Sequence, residues 1–289
     1  MAITAQMVKA LRESTGAGMM DCKNALSEAS ENFTDEKEIM ESAVDVLRKK
    51  GMAKAAKRLD RETSEGLIVA KNEGGRVVMI SITCETDFVS RNDDFKAYAN
   101  EILEFAWKSN ADSLEDLLSM DKDGQKLSDA LAEKTGSIGE KIDIKHYANL
   151  SSNGLLEVYI HSNNKVATII ELAENTDNAD VIQFAKDVAM HSAAMKPIAL
   201  NRDAVDKTVI EKELEIIKDQ LRNEGKPEEM LDKISTGKLN RFYKDNTLNE
   251  QIYVKSEEGL SVEKTAKAVS DNTGVNASIA SFVRFEIGA

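Results

Sequence analysis

The chain has 289 residues, of which 42% are hydrophobic and 31% are charged, and this suffices for hydrophobic cores in two or three domains. Lysine and arginine number 38 and aspartate and glutamate number 51, so the formal net charge is -13. Such a charge repels phosphate backbones and argues against nonspecific nucleic-acid binding as the main task.

The two cysteines, Cys22 and Cys84, lack the spacing of zinc sites and disulfide scaffolds. The chain also lacks a basic-then-apolar signal and an apolar run of membrane length. We therefore expect a cytoplasmic protein with free thiols and no membrane contact.

The first fifty residues predict a small bundle of three amphipathic helices. Thr4 can cap the first helix, and the turn at residues 16–18 ends it, because glycine reaches positive φ without steric cost. Thr34 can cap the third helix, which Gly51 is expected to end. Residues 52–65 are rich in Ala, Lys and Arg and predict a solvated helical linker.

The second helix of the bundle begins near Met19, directly after the glycine turn. Because Met19 and Met20 are adjacent at a helix start, one of them must face outward. Met20 is interpreted either as core filler or as part of an adaptable contact surface, since methionine is flexible and polarisable.

Two hairpin patterns follow the bundle. The first comprises residues 66–70 and 76–84, separated by the turn sequence Asn-Glu-Gly-Gly at 72–75. The second comprises residues 155–161 and 165–172. The segments of both hairpins show either the apolar–polar alternation of half-buried strands or the continuous apolar run of buried strands.

Each hairpin leads into a helix through a similar sequence. Residues 84–87 read Cys-Glu-Thr-Asp before a helix that starts near Asp93, and residues 174–177 read Glu-Asn-Thr-Asp before the other. Phe95 and Phe184 are placed at similar depths in the two helices. The repetition predicts two related α+β subdomains, each a hairpin sheet packed by a helix.

The two copies differ directly after the shared Thr-Asp pair. The first continues with Phe88 and Val89, whereas the second continues with Asn178 and Ala179. Phe88 has two interpretations: a loop residue that folds back into the core, or an exposed wedge that enters a partner's pocket. Asp87 either caps the following helix or contacts the partner.

The last third of the chain predicts a helical hairpin and a short tail. Two long helical patterns separated by residues 225–227 predict an antiparallel hairpin of coiled-coil type over 203–244. The tail predicts a strand at 251–255, a helix at 261–269 and a final strand at 282–287.

The sequence carries no nucleotide-binding, zinc-protease or hydrolase motif. His146, His161 and His191 lie in different predicted elements, without carboxylates or cysteines at metal-ligand spacing. His161 alternates with Glu157 and Tyr159 on the polar face of its strand and is a surface or partner-facing histidine. The pattern favours a binding protein over an enzyme, with no cofactor and no metal.

Several separated motifs closely resemble bacterial elongation factor Ts. They are Met7–Lys9 (MVK) with Leu11-Arg12, Thr15–Lys23 (TGAGMMDCK), Thr86–Val89 (TDFV), Met190-His191 with Lys196-Pro197, and Phe282–Gly288 (FVRFEIG). They occur in the family's order from the first residues to the last. With this resemblance the predicted fold is α+β in four regions: an N-terminal three-helix (UBA-like) bundle at 1–53, a first α+β subdomain with a linker helix at 54–138, a second α+β subdomain at 139–262 that includes the coiled-coil hairpin, and a C-terminal helix and strand module at 263–289.

The resemblance implies a guanine-nucleotide exchange factor that binds GDP-bound and nucleotide-free elongation factor Tu. Its wedge would insert near the partner's nucleotide pocket, disturb the magnesium ion and loosen GDP. The residues implied in this insertion are Thr86, Asp87, Phe88 and Val89.

The resemblance implies two further contacts with the partner. Arg12, Met19 and Met20 of the bundle would contact its GTPase domain, and the strand around His161 would contact its distal domain. The helical hairpin would serve self-association, as a homodimer or a two-plus-two complex, and no direct nucleic-acid contact is implied. The alternative is a non-catalytic structural or chaperone-like module that binds proteins through the hairpin.

Overall fold

The structure, a computed structural model, describes residues 2–288 and has a mixed α+β architecture, as the sequence predicts. Within these residues the strands form two three-stranded sheets and a two-stranded ribbon. The chain divides into two compact units. Of the described residues, the first unit comprises 2–71, 78–149 and 286–288, and the second comprises Asn72–Val77 and Leu150–Phe285.

The elements of the first half are, in chain order, α1 (Ala5–Thr15), α2 (Met19–Ala29), α3 (Glu36–Ala56), β1 (Glu65–Glu73), β2 (Arg76–Cys84), α4 (Asp87–Ser90), α5 (Asp93–Ser109), α6 (Leu114–Ser119), β3 (Asp121–Lys122), β4 (Gln125–Lys126), α7 (Leu127–Ile138) and β5 (Asp143–Ser151). Those of the second half are β6 (Leu156–Ile160), β7 (Val166–Leu172), α8 (Ala179–Met195), α9 (Lys207–Asn223), α10 (Glu228–Asn246), α11 (Val262–Thr273) and β8 (Ile279–Glu286).

Helices α1, α2 and α3 pack together, and we call them the N-terminal bundle. The Thr4 side chain caps α1 by accepting a hydrogen bond from the Met7 N–H, and Gly16 ends the helix with a φ of 67°. The bundle has its own apolar core, which includes Met7, Leu11, Cys22, Leu26, Ile39 and Ala43. The three predicted helices are thus present, each with an inward apolar face.

Helix α3 is longer than the sequence predicts. Asp35, and not Thr34, caps it, because its side chain accepts hydrogen bonds from the N–H groups of Lys37 and Glu38. Gly51 was expected to end the helix, but it lies buried inside it. It faces Gly136 of α7, where an added Cβ would lie 2.3 Å from the Cα of Gly51. The glycine pair therefore serves close helix packing, and residues 52–56 continue the helix.

The first sheet has the order β1-β2-β5. The predicted hairpin is confirmed, with Gly74 and Gly75 both at positive φ in its turn. The central strand β2 is buried on both faces, and its alternate side chains pack against α5, α6 and α7. Strand β5 completes this first sheet, although its residues fall within the region 139–262 that the sequence assigns to the second subdomain.

The second sheet has the order β6-β7-β8. Strands β6 and β7 are antiparallel, with a register that runs from Leu156 opposite Glu171 to Ile160 opposite Ala167. Helices α8 and α11 contribute to the core of this unit. The segment 251–255 is not the predicted strand. Within the described residues it makes a single bridge, between Ile252 and Ser261.

Helices α9 and α10 form the predicted antiparallel hairpin. Ile217 and Leu221 of α9 pack against Leu231 and Ile234 of α10. These four side chains form the apolar contact between the two helices.

Two chemical absences hold for the described residues. None of their helices is both long enough and apolar enough to span a bilayer. Likewise, no cluster of three or more His, Cys, Asp or Glu side chains among residues 2–288 is arranged to hold a metal ion. Cys22 and Cys84 are both buried free thiols.

Candidate partner-binding site

The most exposed large apolar side chain among the described residues is Phe88, which is 85% accessible. This exposure excludes the interpretation of Phe88 as a residue folded back into the core. A phenylalanine side chain with so much of its apolar surface in contact with water is uncommon. It marks this surface as the first candidate for a partner contact, and the contact itself stays a prediction.

Phe88 lies in a single helical turn between the central strand and the main helix of the first unit. Strand β2 ends at Cys84, and the turn α4 follows with Thr86 as its N-cap. The Thr86 hydroxyl oxygen accepts a hydrogen bond of 3.4 Å from the Val89 N–H. Val89 is partly buried and packs against the core, while Phe88 points away from it. We call residues 86–91 the Phe88 turn.

Asp87 does not cap helix α5. That cap is Asn92, whose side-chain oxygen accepts a hydrogen bond of 2.7 Å from the Asp94 N–H. Asp87 instead pairs with Arg91, with 3.2 Å between Oδ2 and Nη2. Both side chains are well exposed, so the pair adds little stability of its own. The interpretation of Asp87 as the cap of the following helix is therefore wrong, and its contact with a partner stays a prediction.

The base of the Phe88 turn is held by a residue that the sequence did not single out. Glu140 accepts hydrogen bonds from the Glu85 N–H at 3.2 Å, the Thr86 N–H at 2.9 Å and the Thr86 hydroxyl at 2.6 Å. Glu140 is more than fifty positions away in sequence, so no local pattern connects it with the turn.

Glu85 makes the reciprocal contact with the segment that carries Glu140. Its carboxylate accepts a hydrogen bond of 2.7 Å from the Lys141 N–H and pairs with Arg61 at 3.0 Å. Burial raises the pKa of Glu85, but the Lys141 hydrogen bond and the Arg61 charge together outweigh it, so the pKa lies below its usual value. Glu85 is thus held ionised at the base of the turn.

The predicted contact residues of the bundle are all on its surface. Met19 is 59% and Met20 is 64% accessible, and Arg12 is also exposed. The interpretation of Met20 as core filler is therefore wrong, because Cys22, Ala25 and Leu26 fill the core from this helix. Two adjacent exposed methionines form an adaptable apolar surface.

His161 lies in the second unit, one residue beyond the end of β6. Its side chain is exposed, and its N–H donates to the Val166 carbonyl across the hairpin at 2.9 Å. The Nδ1 atom shares a hydrogen bond of 2.9 Å with the Tyr159 hydroxyl. The histidine is thus available at the surface, as its strand alternation predicts.

His191 is the buried counterexample. The Gln251 amide donates to two carbonyls, so its oxygen must accept, and His191 Nε2 donates to it at 3.0 Å. The other ring nitrogen, Nδ1, accepts from the Val254 N–H at 3.3 Å. Burial lowers the pKa of His191, which the Gln251 hydrogen bond only partly offsets. This histidine is a neutral core residue and no part of a surface site.

Comparison with known proteins finds similarity over nearly the whole chain. Residues 85–289 match the family model described as Elongation factor TS. The chain is similar to Elongation factor Ts of Christiangramia forsetii, with 49% identity over 255 residues, which cover 88% of this chain and 89% of that protein. It is 40% identical to Elongation factor Ts of Clostridioides difficile over 99% of this chain and 93% of that protein. The identity to Elongation factor Ts of Chlorobium phaeobacteroides is 39%, over 99% of both chains.

Proposed function

The chain belongs to the elongation factor Ts family, and we propose that it acts in translation elongation as the guanine-nucleotide exchange factor for elongation factor Tu. The observation that carries this proposal is Phe88, an aromatic side chain 85% exposed on a turn anchored at its base. An exposed aromatic on a fixed turn contributes little to its own core and a large area to a partner's pocket.

The proposed mechanism is displacement of the partner's magnesium ion. The Thr86–Val89 segment inserts beside the nucleotide pocket, and Phe88 occupies a space that opens only when the partner's helices have moved. Magnesium bridges phosphate oxygens and carries much of the local charge balance, so a shift of its ligands weakens GDP binding. Coupling is reciprocal: a factor that binds nucleotide-free partner more tightly must lower the partner's affinity for GDP by the same ratio.

The chain's own part in this mechanism is binding and positioning. No covalent step, cofactor or metal of its own is needed, so we class it as a binding protein and not an enzyme. The exposed Met19, Met20 and Arg12 are proposed to contact the GTPase domain, and His161 the distal domain. The Asp87 carboxylate, exposed beside Arg91, is available to a donor on the partner.

Three finer assignments belong to the same proposal. We propose that the N-terminal bundle is UBA-like and that the four regions predicted from the sequence act as functional modules in the cytoplasm. We propose further that the α9–α10 hairpin is a coiled coil used for self-association, as a homodimer or a two-plus-two complex. Supporting this use, Val209, Ile216 and Met230 of the hairpin are exposed apolar residues.

The test is release of fluorescently labelled GDP from elongation factor Tu. A sub-stoichiometric amount of the protein should speed the loss of labelled GDP, because each protein molecule can act on many partner molecules in succession. Excess magnesium should slow the reaction, because a high magnesium concentration favours the magnesium-bound partner from which the ion must be displaced. An unchanged release rate at any protein concentration would contradict the proposal. A structural or chaperone-like module would show association without faster release, and a variant lacking residues 207–246 would then lose that association.

A further inference from the structure

We propose that Glu140 is a positioning residue for nucleotide exchange, fixing the Phe88 turn in the geometry that the partner receives. The inference rests on the proposed function, since it concerns how the same turn is held. The hydrogen bonds that Glu140 accepts come from Glu85 and Thr86, so it acts through the turn's base.

The turn cannot hold its own shape. Helix α4 has only four residues, and an isolated helical turn is unstable in water because its nucleation entropy is not repaid. Its internal cap, from the Val89 N–H to the Thr86 hydroxyl, is long at 3.4 Å. The geometry of the turn therefore depends on anchors outside it.

Glu140 supplies three of these anchors with its two carboxylate oxygens. Oε2 accepts both backbone N–H groups at the base, and Oε1 accepts the Thr86 hydroxyl proton. Charge-assisted hydrogen bonds of this kind are stronger than neutral ones. Because the hydroxyl proton points to Glu140, the lone pairs of the same oxygen remain free for the Val89 N–H. The carboxylate thus orients the cap as well as the base.

Glu140 is itself fixed by the scaffold. It follows Gly139, which ends α7 with a φ of 88°. Two positions further, the Ile142 N–H donates to the Thr135 hydroxyl at 3.0 Å, and Thr135 is buried. Between them the Lys141 N–H donates to the Glu85 carboxylate. The base of the turn and the end of α7 therefore hold each other through two reciprocal carboxylates, Glu85 and Glu140.

A fixed wedge lowers the cost of exchange. A turn that fluctuates must be ordered on the partner at the moment the magnesium ligands shift, and this ordering reduces the free energy available for displacing them. Loss of the Glu140 anchor should therefore lower the maximal rate of GDP release. The half-saturating concentration should change less, because the other contact surfaces remain intact.

The experiment compares Glu140→Ala, Glu140→Gln and the control Glu174→Ala in the full-length protein. Glu174 lies beside the second Thr-Asp pair and also accepts a backbone N–H, from Asn276 at 2.9 Å. For Glu140→Ala we expect a maximal GDP-release rate lower by about tenfold and a half-saturating concentration changed by less than about threefold. Amide hydrogen exchange should accelerate at Glu85 and Thr86. Glu140→Gln should be intermediate, because its amide oxygen can accept the N–H groups while its NH₂ cannot accept the hydroxyl proton. Glu174→Ala should match the unsubstituted protein.

Two results would overturn the positioning role. One is a maximal rate unchanged in Glu140→Ala although the Glu85 and Thr86 amides exchange faster. The other is hydrogen exchange accelerated throughout the first unit, with Glu140→Gln as slow in GDP release as Glu140→Ala, which would show a role in general stability. Either result leaves the proposed function standing if the unsubstituted protein speeds GDP release. If the unsubstituted protein does not, the proposed function itself fails.

Discussion

Helices α5 and α8, the main helices of the two units, are built alike and differ in what precedes them. Each has 17 residues, begins after an asparagine cap and ends at a residue other than glycine in the left-handed region. The caps are Asn92 and Asn178, and the ends are Asn110 and Lys196. The likeness supports the repeat that the sequence suggests.

The difference lies between the Thr-Asp pair and the asparagine. In the second unit the Thr176 hydroxyl accepts a hydrogen bond of 3.0 Å from the Asn178 N–H, so the pair leads directly into the cap. In the first unit residues 88–91 stand between them and form most of α4. The second unit shows that this helix start does not need the extra turn. Val89 packs against the core and Ser90 is buried, so Phe88 and Arg91 are the additional residues that can face a partner.

The structure also corrects the alignment of the two helices. Tyr98 follows Asn92 at the spacing at which Phe184 follows Asn178, while Phe95 corresponds to Val181. The expectation that Phe95 and Phe184 lie at similar depths is thus wrong. Residues 88–91, which stand between the first Thr-Asp pair and Asn92, account for the difference.

The largest effect should come from making the first unit resemble the second. Deletion of residues 88–91 joins Asp87 directly to Asn92, as Asp177 is joined to Asn178. We expect catalysed GDP release to fall by more than about a hundredfold, because the wedge is gone. Thermal melting should remain cooperative. As a control, insertion of Phe-Val-Ser-Arg after Asp177 should leave the rate unchanged. Retained exchange activity in the deletion variant would show that the turn is not the active element.

Removal of the ring alone should have a smaller effect. Phe88→Ala should slow GDP release by about ten- to a hundredfold while changing the free energy of unfolding by less than about 1 kcal/mol, because the ring is in water. Phe95→Ala is the opposite control: this ring is 1% accessible, and its loss should cost about 3–5 kcal/mol of stability. Phe33→Ala removes another partly exposed ring and should leave the release rate unchanged. A large loss of stability in Phe88→Ala would contradict the exposed position of the ring.

Helix α7 ends next to Glu140, which anchors the Phe88 turn, and its packing can be tested through the glycine pair of α3 and α7. A Cβ at Gly136 would lie 2.3 Å from the Gly51 Cα, whereas a Cβ at Gly51 would lie 3.6 Å from the Gly136 Cα. Gly136→Ala should therefore force the helices apart and cost about 1–3 kcal/mol in denaturant unfolding. Gly51→Ala should be neutral or stabilise by up to about 1 kcal/mol, because alanine favours the helix. Equal effects of the two substitutions would contradict the close approach at Gly136.

The smallest effect concerns pH and the second unit. His191 occupies the position in α8 that Phe105 has in α5. Its pKa is lowered by burial in the folded state, so below the unfolded value of about 6.5 the unfolded chain binds a proton that the folded chain does not. Stability should therefore be full above pH 6.5 and decrease as the pH falls, by at most about 1.4 kcal/mol per pH unit. Denaturant unfolding at pH 7.5 and 5.5 measures this slope.

His191→Gln is the matched variant for the pH experiment. It should flatten part of the slope, because the group whose protonation is disfavoured is no longer present. The remaining slope should keep its sign, since burial and the neighbouring Lys145 lower the pKa of His146 as well. A slope unchanged in His191→Gln would show that His191 does not contribute.

Much of the local architecture could be predicted from residue spacing. Thr4, the turn at Gly74 and Gly75, and the alternation of β2 each mark a boundary or a face through short-range sterics and hydrogen bonding. Gly51 shows the limit of such prediction. A glycine after an apolar helix pattern predicts a helix end, but here a facing glycine on α7 makes the same residue a packing site within the helix.

By itself the sequence determined most of the segments that become helices and strands, with 251–255 as an exception, and that a Thr-Asp pair recurs before the main helix of each unit. Only the tertiary structure decided that Phe88 faces water, that β5 completes the first sheet and that Glu140 holds the turn. The physical reason is range: capping and periodicity act over a few positions of the chain. The exposure of a ring, the partner of a strand and the hydrogen bonds of a distant carboxylate depend on which segments meet when the core closes.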